Sequence, residues 1–453
     1  MSATREIATF IYEADIRQFP GEAVQLAKRS ILDCMGVTLA GSVEPAGKII
    51  VEFVRESGGK PQATVINSGF KTSASLAALA NGTMAHALDY DDVFATGGGH
   101  SSVTIVPLVF ALGEIVGASG SKILEAYLAG FEVGARISDA IEPSHSEKGW
   151  HPTATVNALR GTAAGAKLLG LTVDQIEVAF GLAASLAGGL RFNIGTMTKP
   201  LHAGNAARNG IMACLLAAKG FSAEPGVLEQ SPYGFCEVFG GGEKPALDKL
   251  TTGLGKQFQI ISPGMGIKKY PCVAGIHSAI DAILMLTEQH SLTAGMVESI
   301  ACGVRKMRPQ TLRSKEPKTP LEGKFNLAYG LARALLDREL GLQQFTQQKV
   351  DDPAVIELMR KIHIDVDPEL VKEQAGKNAV IVAVRLTDGR VVSQRVDKAR
   401  GTSKYPLTDE EVQRKYRQCA GLVLAPDKIE QTLAILQDLE NVPDVGNLVG
   451  LLG

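Results

Sequence analysis

Apolar residues recur at helical spacing in one segment after another from the N-terminus to about position 219. Clear cases are EAVQLAKRSILDCMGVTLAG, ASLAALANGTMAHALDY, KILEAYLAGFEVGARISDAI and TVDQIEVAFGLAASLAGGL. A spacing of three to four residues predicts amphipathic helices. Glycines close several of these segments, as is common at helix C-termini. The pattern therefore predicts a helical domain over residues 1–245, packed closely through small-residue runs such as GTAAGAKLLG.

The hydrophobic pattern changes after a stretch rich in Pro, Gly and Ser that ends near position 245. ESIACGVRKM alternates apolar and polar residues, and NAVIVAVRLTDGRVVSQRV contains two β-rich runs around Asp388-Gly389. That dipeptide predicts a hairpin with a type I′ turn. Helical segments such as HSAIDAILMLTEQH lie between these runs. We therefore predict a smaller α+β domain over residues 255–403, built on an antiparallel sheet.

Helical periodicity returns at the C-terminus, in TDEEVQRKYRQCAGLVL and PDKIEQTLAILQDLEN. Each segment begins with residues that cap helices well. Residues 404–453 are expected to rejoin the first domain. The predicted fold is mostly α, with a large helical domain and a second α+β domain.

Composition narrows the classes of partner. The chain has 46 basic and 48 acidic residues, a formal net charge of −2, and so no strong field to attract nucleic acid or an anionic membrane. Its six cysteines lack zinc-site spacing and are typical of reduced thiols in a cytoplasmic protein. The most apolar run, VTIVPLVFALG, is too short to cross a bilayer as a helix. We expect neither a nucleic-acid partner nor a membrane segment.

The segment HALDYDDVFATGGGHSS places acids and histidines in an otherwise apolar, small-residue region. Buried charges are costly unless they are paired, so Asp89, Asp91, Asp92 and His100 need either a structural partner or a ligand. The glycines could let backbone N–H groups approach an anion. A solvated acidic turn at a helix end and a Mg²⁺ or Mn²⁺ site are the alternatives from residue types alone.

Other segments carry further candidates. His151 precedes a helical segment, whose N-terminus would lower the imidazole pKa and suit a neutral general base. Lys199 is placed at a helix start where it could hold a carboxylate, and His202 lies one helical turn further on. The alternatives are a hydrogen-bonded structural histidine and a surface lysine. Near Lys268, the sequence PGMGIKKYP lacks the third glycine of a dinucleotide fingerprint. Tyr329 is a type of residue found more often in cores than in catalysis.

Five segments together resemble the MmgE/PrpD family, which includes 2-methylcitrate dehydratases, cis-aconitate decarboxylases and iminodisuccinate epimerases. They are AHALDYDD with GHSS, GWHPTAT, MTKPLHAGNAARNG, KKYPCVAGIHSAIDA and KTPLEGKFNLAYGLARALL, in the family's order. The resemblance covers nearly the whole chain. It implies a helical domain completed by the C-terminal tail, a smaller α+β domain, a homodimer, and catalysis without a metal or cofactor.

The resemblance also implies roles for individual residues. We expect His151 to act as the general base, His100 or Tyr329 as the acid, and Asp89 to orient and charge-tune the imidazole. Substrate binding is expected from the remaining motif residues: Lys199, Lys268 and His202.

Two positions depart from the family pattern. Val93 stands where many members have Thr, and Ser101 replaces the usual Pro after the motif histidine. These departures leave the substrate more open than the class of chemistry.

The function expected from the sequence is that of a cofactor-independent lyase. It would remove a proton α to a carboxylate of a small di- or tricarboxylic acid, most simply as a dehydratase. An epimerase of a dicarboxylate and a cis-aconitate-type decarboxylase are the enzymatic alternatives. A non-catalytic helical binding or scaffold protein is the alternative from another class.

Overall fold

The computed structural model describes residues 2–242, 244–306 and 316–453. The chain divides into two compact units. The first, which we call the helical unit, comprises Met1–Asn193, Met197–Ile267 and Thr408–Gly453. The second, the mixed unit, comprises Ile194–Thr196 and Lys268–Leu407. A mostly helical chain with a smaller sheet-containing unit is what the sequence predicts, and this prediction is confirmed.

The first part of the helical unit consists of helices joined by short connections, with two small two-stranded pairings. Its helices are α1 (Ala3–Glu13), α2 (Gly21–Gly41), α3 (Pro45–Ser57), α4 (Ala74–His86), α5 (Ser102–Val116), α6 (Gly120–Ile141), α7 (Ser144–Lys148), α8 (Val156–Leu169), α9 (Val173–Leu186), α10 (Thr198–Ala218) and α11 (Phe235–Phe239). Its strands are β1 (Ala63–Val65), β2 (Phe70–Thr72), β3 (Val93–Phe94) and β4 (Met265–Gly266), paired β1 with β2 and β3 with β4, both antiparallel.

The mixed unit packs helices against a four-stranded sheet. Its helices are α12 (His277–His290), α13 (Pro320–Gly323), α14 (Leu327–Asp337), α15 (Gln347–Val350), α16 (Pro353–Arg360) and α17 (Pro368–Lys372). Its strands are β5 (Val297–Val304), β6 (Ile362–Val366), β7 (Val380–Leu386) and β8 (Val391–Val396), in the order β6-β5-β7-β8.

The sheet is antiparallel in two of its three pairings, and the third differs from the prediction. β5 pairs with β7, and β7 with β8, in antiparallel fashion, whereas β5 and β6 run parallel. The two strands can run parallel because a long connection that contains helices α13 to α16, rather than a hairpin turn, joins β5 to β6. The predicted antiparallel sheet is therefore a mixed one.

The hairpin between β7 and β8 forms at the predicted place with a different turn. Gly389 has a φ of 86°, its N–H donates to Leu386 O, and Leu386 N–H donates to Arg390 O. A type I′ turn needs positive φ at both central residues, but Asp388 is not left-handed. The geometry is that of a longer hairpin loop in which glycine alone supplies the left-handed conformation.

The C-terminal tail belongs to the helical unit. It contains α18 (Asp409–Ala420), α19 (Pro426–Gln437) and α20 (Val445–Leu452). Tyr416 of α18 packs on Gly36 of α2, where an added Cβ would lie 3.1 Å from the tyrosine ring. The small residue thus lets α18 lie close against α2.

The first change of unit falls between Ile267 and Lys268, later than the predicted boundary near residue 245. The backbone of the intervening segment is bound to the helical unit by hydrogen bonds with side chains of α6. Arg136 donates to Gln257 O at 3.1 Å, and Gln259 N–H donates to Glu132 at 2.7 Å. The change in composition near 245 therefore marks a loop-rich part of the first unit.

Within the described residues, no individual helix has both the length and the apolar character needed to cross a membrane. In that part of the chain, one pair of helices, α2 and α3 with a bend of 84° between them, meets the criterion of length and composition when taken together.

Close contact between α4 and α10 depends on two glycines. A Cβ added to Gly82 would lie 2.8 Å from the Cα of Gly204, and one added to Gly204 would collide with the carbonyl of Leu79. Protein interiors have little free volume, so neither helix can accept even a methyl group without moving. The pair of glycines thus fixes the spacing between α4 and α10.

We expect Gly204→Ala to lower the free energy of unfolding by about 1–3 kcal/mol, because overpacking forces the two backbones apart. Gly450→Ala is the matched control: this helical glycine of α20 is exposed and has open space around its Cα. The control should be neutral or stabilising by about 0.5–1 kcal/mol. Denaturant unfolding of both variants measures the difference, and equal effects at the two positions would contradict the proposed role of the close contact.

Candidate active site

The end of α4 turns the chain so that an acidic segment folds back on the helix. His86 is the last residue of α4, and Asp89 follows with a left-handed φ of 51°. Aspartate tolerates this conformation better than most residues that have a side chain. The reversal brings the carboxylate of Asp91 to 2.8 Å from His86 Nδ1, with both side chains fully buried.

Asp91 contacts two imidazoles. Its Oδ1 accepts from His86 Nδ1, and its Oδ2 lies 2.7 Å from His100 Nδ1. The two rings have centroids 4.5 Å apart. Burial opposes ionisation of Asp91, but the neighbouring His100 and His86 outweigh it and hold the Asp91 pKa well below its usual value. A carboxylate can only accept, so Nδ1 carries the proton in both rings.

His100 is held by its backbone as well as by its ring. His100 Nδ1 also lies 2.7 Å from the carbonyl of Asp92, and the Asn157 side-chain amide donates to the backbone carbonyl of His100 at 2.6 Å. The preceding Gly99 has a φ of 83°, and a Cβ there would lie 2.9 Å from Thr153 N. Glycine is needed here for both conformation and space. With Nδ1 engaged, Nε2 is the His100 nitrogen that can exchange a proton with a ligand.

Asp92, the residue after Asp91, contacts the first residue of α5. Its carboxylate accepts from the backbone N–H of Ser102 at 3.3 Å and from the Ser102 hydroxyl, which also contacts Tyr127 OH at 2.7 Å. Burial raises the pKa of Asp92 to about 7, and the negative charge of Asp91 adds to this effect. Asp92 is thus a buried carboxyl group that can titrate near neutral pH.

Lys199, in the first turn of α10, brings a positive charge into the same cluster. Its Nζ lies 2.9 Å from His86 Nε2 and 2.7 Å from Asp89 Oδ1. Burial, together with the charge of Lys199, lowers the pKa of His86 to about 3 despite the opposing charge of Asp91. His86 is therefore a neutral ring that takes a proton from neither neighbour but connects Asp91 to Lys199 by hydrogen bonds.

His151 and His202 form a second imidazole pair beside the first. Their Nδ1 atoms are 3.0 Å apart, so one must donate and the other accept. The ring of His151 stacks on that of His86, with centroids 6.3 Å apart. Burial, and then the charge of Lys199, lowers the pKa of His151 well below its usual value and that of His202 to about 4. Both rings are neutral at pH 7.

The low pKa of His151 has a different cause from the one predicted. The sequence suggested a helix N-terminus, but α8 begins only at Val156, and His151 precedes the intervening turn. Burial is the main cause, and Lys199 the largest charge effect.

We call these four residues, His86, His100, His151 and His202, the histidine cluster. All of them lie in the helical unit, together with Asp89, Asp91, Asp92 and Lys199. The structure thus brings together the predicted residues Asp89, His100, His151, Lys199 and His202.

The role predicted for Asp89 needs a correction. Asp89 Oδ1 is 4.0 Å from His100 Nε2, beyond hydrogen-bond reach, and its close contact is with Lys199. Asp91 is the carboxylate that orients the imidazoles. Sequence reasoning gave no role to His86 and none to Asp91 beyond membership of an acidic group. The available signal was the spacing of His86, at the end of a helix, to an acid five residues later.

The remaining predicted residues lie in the mixed unit. Lys268 is buried at its start. Tyr329 is fully buried in the core of that unit, and its hydroxyl donates to the carbonyl of Gln344 at 2.6 Å. Burial raises its pKa above the usual value. These observations argue against the acid role predicted for Tyr329 and account for it as a core residue.

A divalent metal ion is an alternative to the Lys199 ammonium group as the positive charge among these side chains. One ligand atom from each of His86, Asp89, Asp91 and His100 lies within 4.8 Å of the others. Imidazole and carboxylate are suitable ligands for several divalent ions. However, Lys199 Nζ already bridges His86 Nε2 and Asp89 Oδ1, so an ammonium group supplies positive charge where the ion would sit. This donor set fits the lysine better than a metal.

Comparison with known proteins agrees with the resemblance seen in the sequence. The chain matches the family models described as the MmgE/PrpD N-terminal domain over residues 5–248 and the MmgE/PrpD C-terminal domain over residues 270–441. It is 30% identical to a cis-aconitate decarboxylase of Aspergillus terreus, covering 99% of this chain and 95% of that protein. Cis-aconitate decarboxylases of Mus musculus and Homo sapiens are 28% and 27% identical, covering 100% of this chain and 93% and 94% of theirs.

The raised pKa of Asp92 predicts a pH dependence of stability. The folded protein holds this proton up to about pH 7, whereas an unfolded aspartate loses it near 3.8. The contribution of Asp92 to stability is therefore complete below the unfolded value and is lost as pH rises towards 7. Asp92→Asn does not titrate. The unfolding free energy of the wild type minus that of the variant should fall from about pH 5 to about pH 8, and a constant difference would contradict the raised pKa.

Proposed function

The chain belongs to the MmgE/PrpD family, and on that premise we propose that it is a lyase of a small tricarboxylic acid. We propose cis-aconitate as its first candidate substrate and decarboxylation as its reaction. The observation that carries this proposal is the buried Asp91 carboxylate on the Nδ1 atoms of His86 and His100, beside the Lys199 ammonium. This is an arrangement for moving a proton next to a carboxylate.

Decarboxylation of cis-aconitate requires one proton and no redox partner. The bond between the CH₂ carbon and its carboxylate breaks, and its electron pair forms a new double bond from that carbon to the central carbon as CO₂ leaves. The double bond shifts, and negative charge collects on the far carbon and its carboxylate. A proton then adds to that carbon, α to the carboxylate. The reaction needs a cation to hold the developing charge and an acid to deliver the proton.

His100 is the acid in this proposal. Asp91 on its Nδ1 stabilises the imidazolium form, and Nε2 then carries the proton to be given. Its side chain is 13% exposed, more than those of His86, Asp89 and Asp91. A ligand therefore reaches this ring most readily.

Lys199 holds the developing charge, and the neutral pair of His151 and His202 completes the site. An ammonium group in a water-poor site stabilises a carboxylate far more than it would in water. Because His151 is neutral, it does not repel the proton on His100 or the ammonium group of Lys199. It serves as the general base where the reaction needs one. Lys268 remains a proposed contact to a substrate carboxylate.

The choice of decarboxylation is supported by the relatives. Cis-aconitate decarboxylases align with this chain over 99–100% of its length. The second candidate is dehydration of a hydroxy tricarboxylic acid, in which His151 takes the α proton and His100 gives a proton to the departing hydroxide. Val93 favours keeping this candidate, since many decarboxylases of the family have a threonine hydroxyl there.

The substrate prediction is tested by proton NMR in D₂O with cis-aconitate, citrate, 2-methylcitrate and dicarboxylates such as tartrate. We expect loss of cis-aconitate and a decarboxylated alkene product that carries solvent deuterium on the carbon α to a carboxylate. EDTA should leave the rate unchanged, because Lys199 supplies the positive charge. New vinyl signals from citrate or 2-methylcitrate would indicate dehydration instead, and deuterium uptake without an alkene would indicate epimerisation. Stabilisation by a carboxylate without turnover would favour the non-catalytic alternative.

A His100→Asn variant should lower kcat by about 10²–10⁴-fold with little change in KM, because the acid acts in the transition state. His145→Asn is the matched control. His145 is also a buried histidine of the helical unit, but its two ring nitrogens contact Phe239 O and Thr155 Oγ1 at 2.8 Å each. The control is expected to affect stability and to retain most of the kcat of the folded protein. Equal kcat losses in both variants would contradict the acid role.

Removal of His151 tests the base role separately. His151→Ala should reduce dehydration, if that is the reaction, by about 10²–10⁴-fold. The variant also removes the partner of His202, so its fold is checked by thermal unfolding. A folded His151→Ala protein that keeps more than about a tenth of the wild-type kcat for dehydration would remove the base role.

A further inference from the structure

A buried lysine from the C-terminal tail contacts the backbone of the acidic turn at Tyr90. Lys415, in α18, is 4% exposed, and its Nζ lies 2.6 Å from the carbonyl oxygen of Tyr90. The same Nζ lies 2.6 Å from Asp33 Oδ1 of α2 and 3.8 Å from the centroid of the Tyr90 ring. A carbonyl, a carboxylate and an aromatic face thus surround one ammonium group.

The carbonyl that Lys415 binds is part of the peptide group that joins Tyr90 to Asp91. Asp89, on the other side of Tyr90, has the left-handed φ that reverses the chain. A charged donor on this carbonyl fixes the orientation of the peptide plane. Because Asp91 is the next residue, the same contact sets the position from which its carboxylate reaches His86 and His100.

Stability alone is a poor explanation for the pair of Asp33 and Lys415. Both side chains are almost fully buried, at 1% and 5% exposure. Removing two charges from water costs about as much as their attraction returns, and a well-packed apolar pair often replaces such a pair at no loss. The attraction between the ammonium group and the Tyr90 ring adds to the hold on this one segment.

We propose that Lys415, anchored by Asp33, is a positioning residue for the reaction. It holds the Tyr90–Asp91 peptide so that the Asp91 carboxylate contacts both imidazoles. The kinetic part of this inference rests on the proposed function. The C-terminal tail thereby contributes to the site without touching the reacting atoms.

The test uses the full chain with both charges removed, as Asp33→Asn with Lys415→Met, so that no unpaired charge stays buried. The matched control is Lys28→Met with Glu440→Gln. That pair, at 2.8 Å, also ties α2 to the C-terminal tail but involves no residue of the acidic turn. A third protein, Lys415→Arg, keeps the charge for Asp33 but changes its shape. It provides the test if the double variant does not fold.

The kinetic readouts are kcat, KM and the pH profile of kcat/KM. We expect the double variant to lose about 10²-fold in kcat, as displacements of about 1 Å at a site can cause, with little change in KM. Its pH profile should shift, because Asp91 no longer supports the protonated form of His100. The control pair should keep the wild-type kcat and profile. Lys415→Arg should show a smaller kcat loss and a shift of the same sign.

A crystal structure of the same variants separates this inference from the proposed function. In the double variant, or in Lys415→Arg, the distance from Asp91 Oδ2 to His100 Nδ1 should exceed the hydrogen-bond limit of about 3.5 Å. Failure of the wild type to convert any carboxylate would remove the proposed function but leave this distance as the test of positioning. An unchanged distance, or a wild-type kcat and pH profile in either variant, would overturn the proposal.

Discussion

The contact of the buried Asp91 carboxylate with His86 and His100, through a hydrogen bond to His86 Nδ1 and an approach of 2.7 Å to His100 Nδ1, is the interaction on which the rest of the site depends. It fixes which nitrogen carries the proton in each ring. In His86 it turns Nε2 towards the Lys199 ammonium, and in His100 it leaves Nε2 for the ligand. One buried carboxylate thus orients both the imidazole that contacts Lys199 and the imidazole proposed as the acid. Without it, the buried His86 Nδ1 would lack its acceptor, and His100 Nδ1 would keep only the carbonyl of Asp92.

The helical unit explains how these groups can be buried together. Small residues at the crossing of α4 and α10 let the two helices approach, and this places Lys199 within reach of His86. A left-handed Asp89 and a left-handed Gly99 then bend the connecting segment so that acids and His100 face the end of α4. The backbone therefore requires small or turn-forming residues at the same places where the chemistry requires charged ones.

The sequence predicts the helical unit and the smaller sheet-containing unit from hydrophobic periodicity. It predicts the family from motifs that occur in a fixed order along the chain. It also identifies three members of the histidine cluster, His100, His151 and His202, and the neighbouring Asp89 and Lys199. It expects Asp89 to orient the imidazole, whereas Asp91 is the carboxylate that contacts His86 and His100, and this difference depends on one left-handed residue that no pattern shows. It likewise proposes Tyr329 as an acid, although its burial against Gln344 depends on tertiary packing. The homodimer and the cytoplasmic location stay predictions.

The central claim, that Asp91 orders the imidazoles as proton donors through Nδ1, is tested most directly by ¹⁵N NMR of histidine-labelled protein at neutral pH. The account predicts that His86 and His100 both carry a proton on Nδ1. The downfield Nδ1–H signal of His86 should disappear in Asp91→Ala, whereas His100 Nδ1 keeps the carbonyl of Asp92 as an acceptor. His86 should remain neutral, with an unprotonated Nε2 beside Lys199. Finding either ring as the neutral tautomer protonated only on Nε2, or a His86 Nδ1–H signal that persists without Asp91, would contradict it.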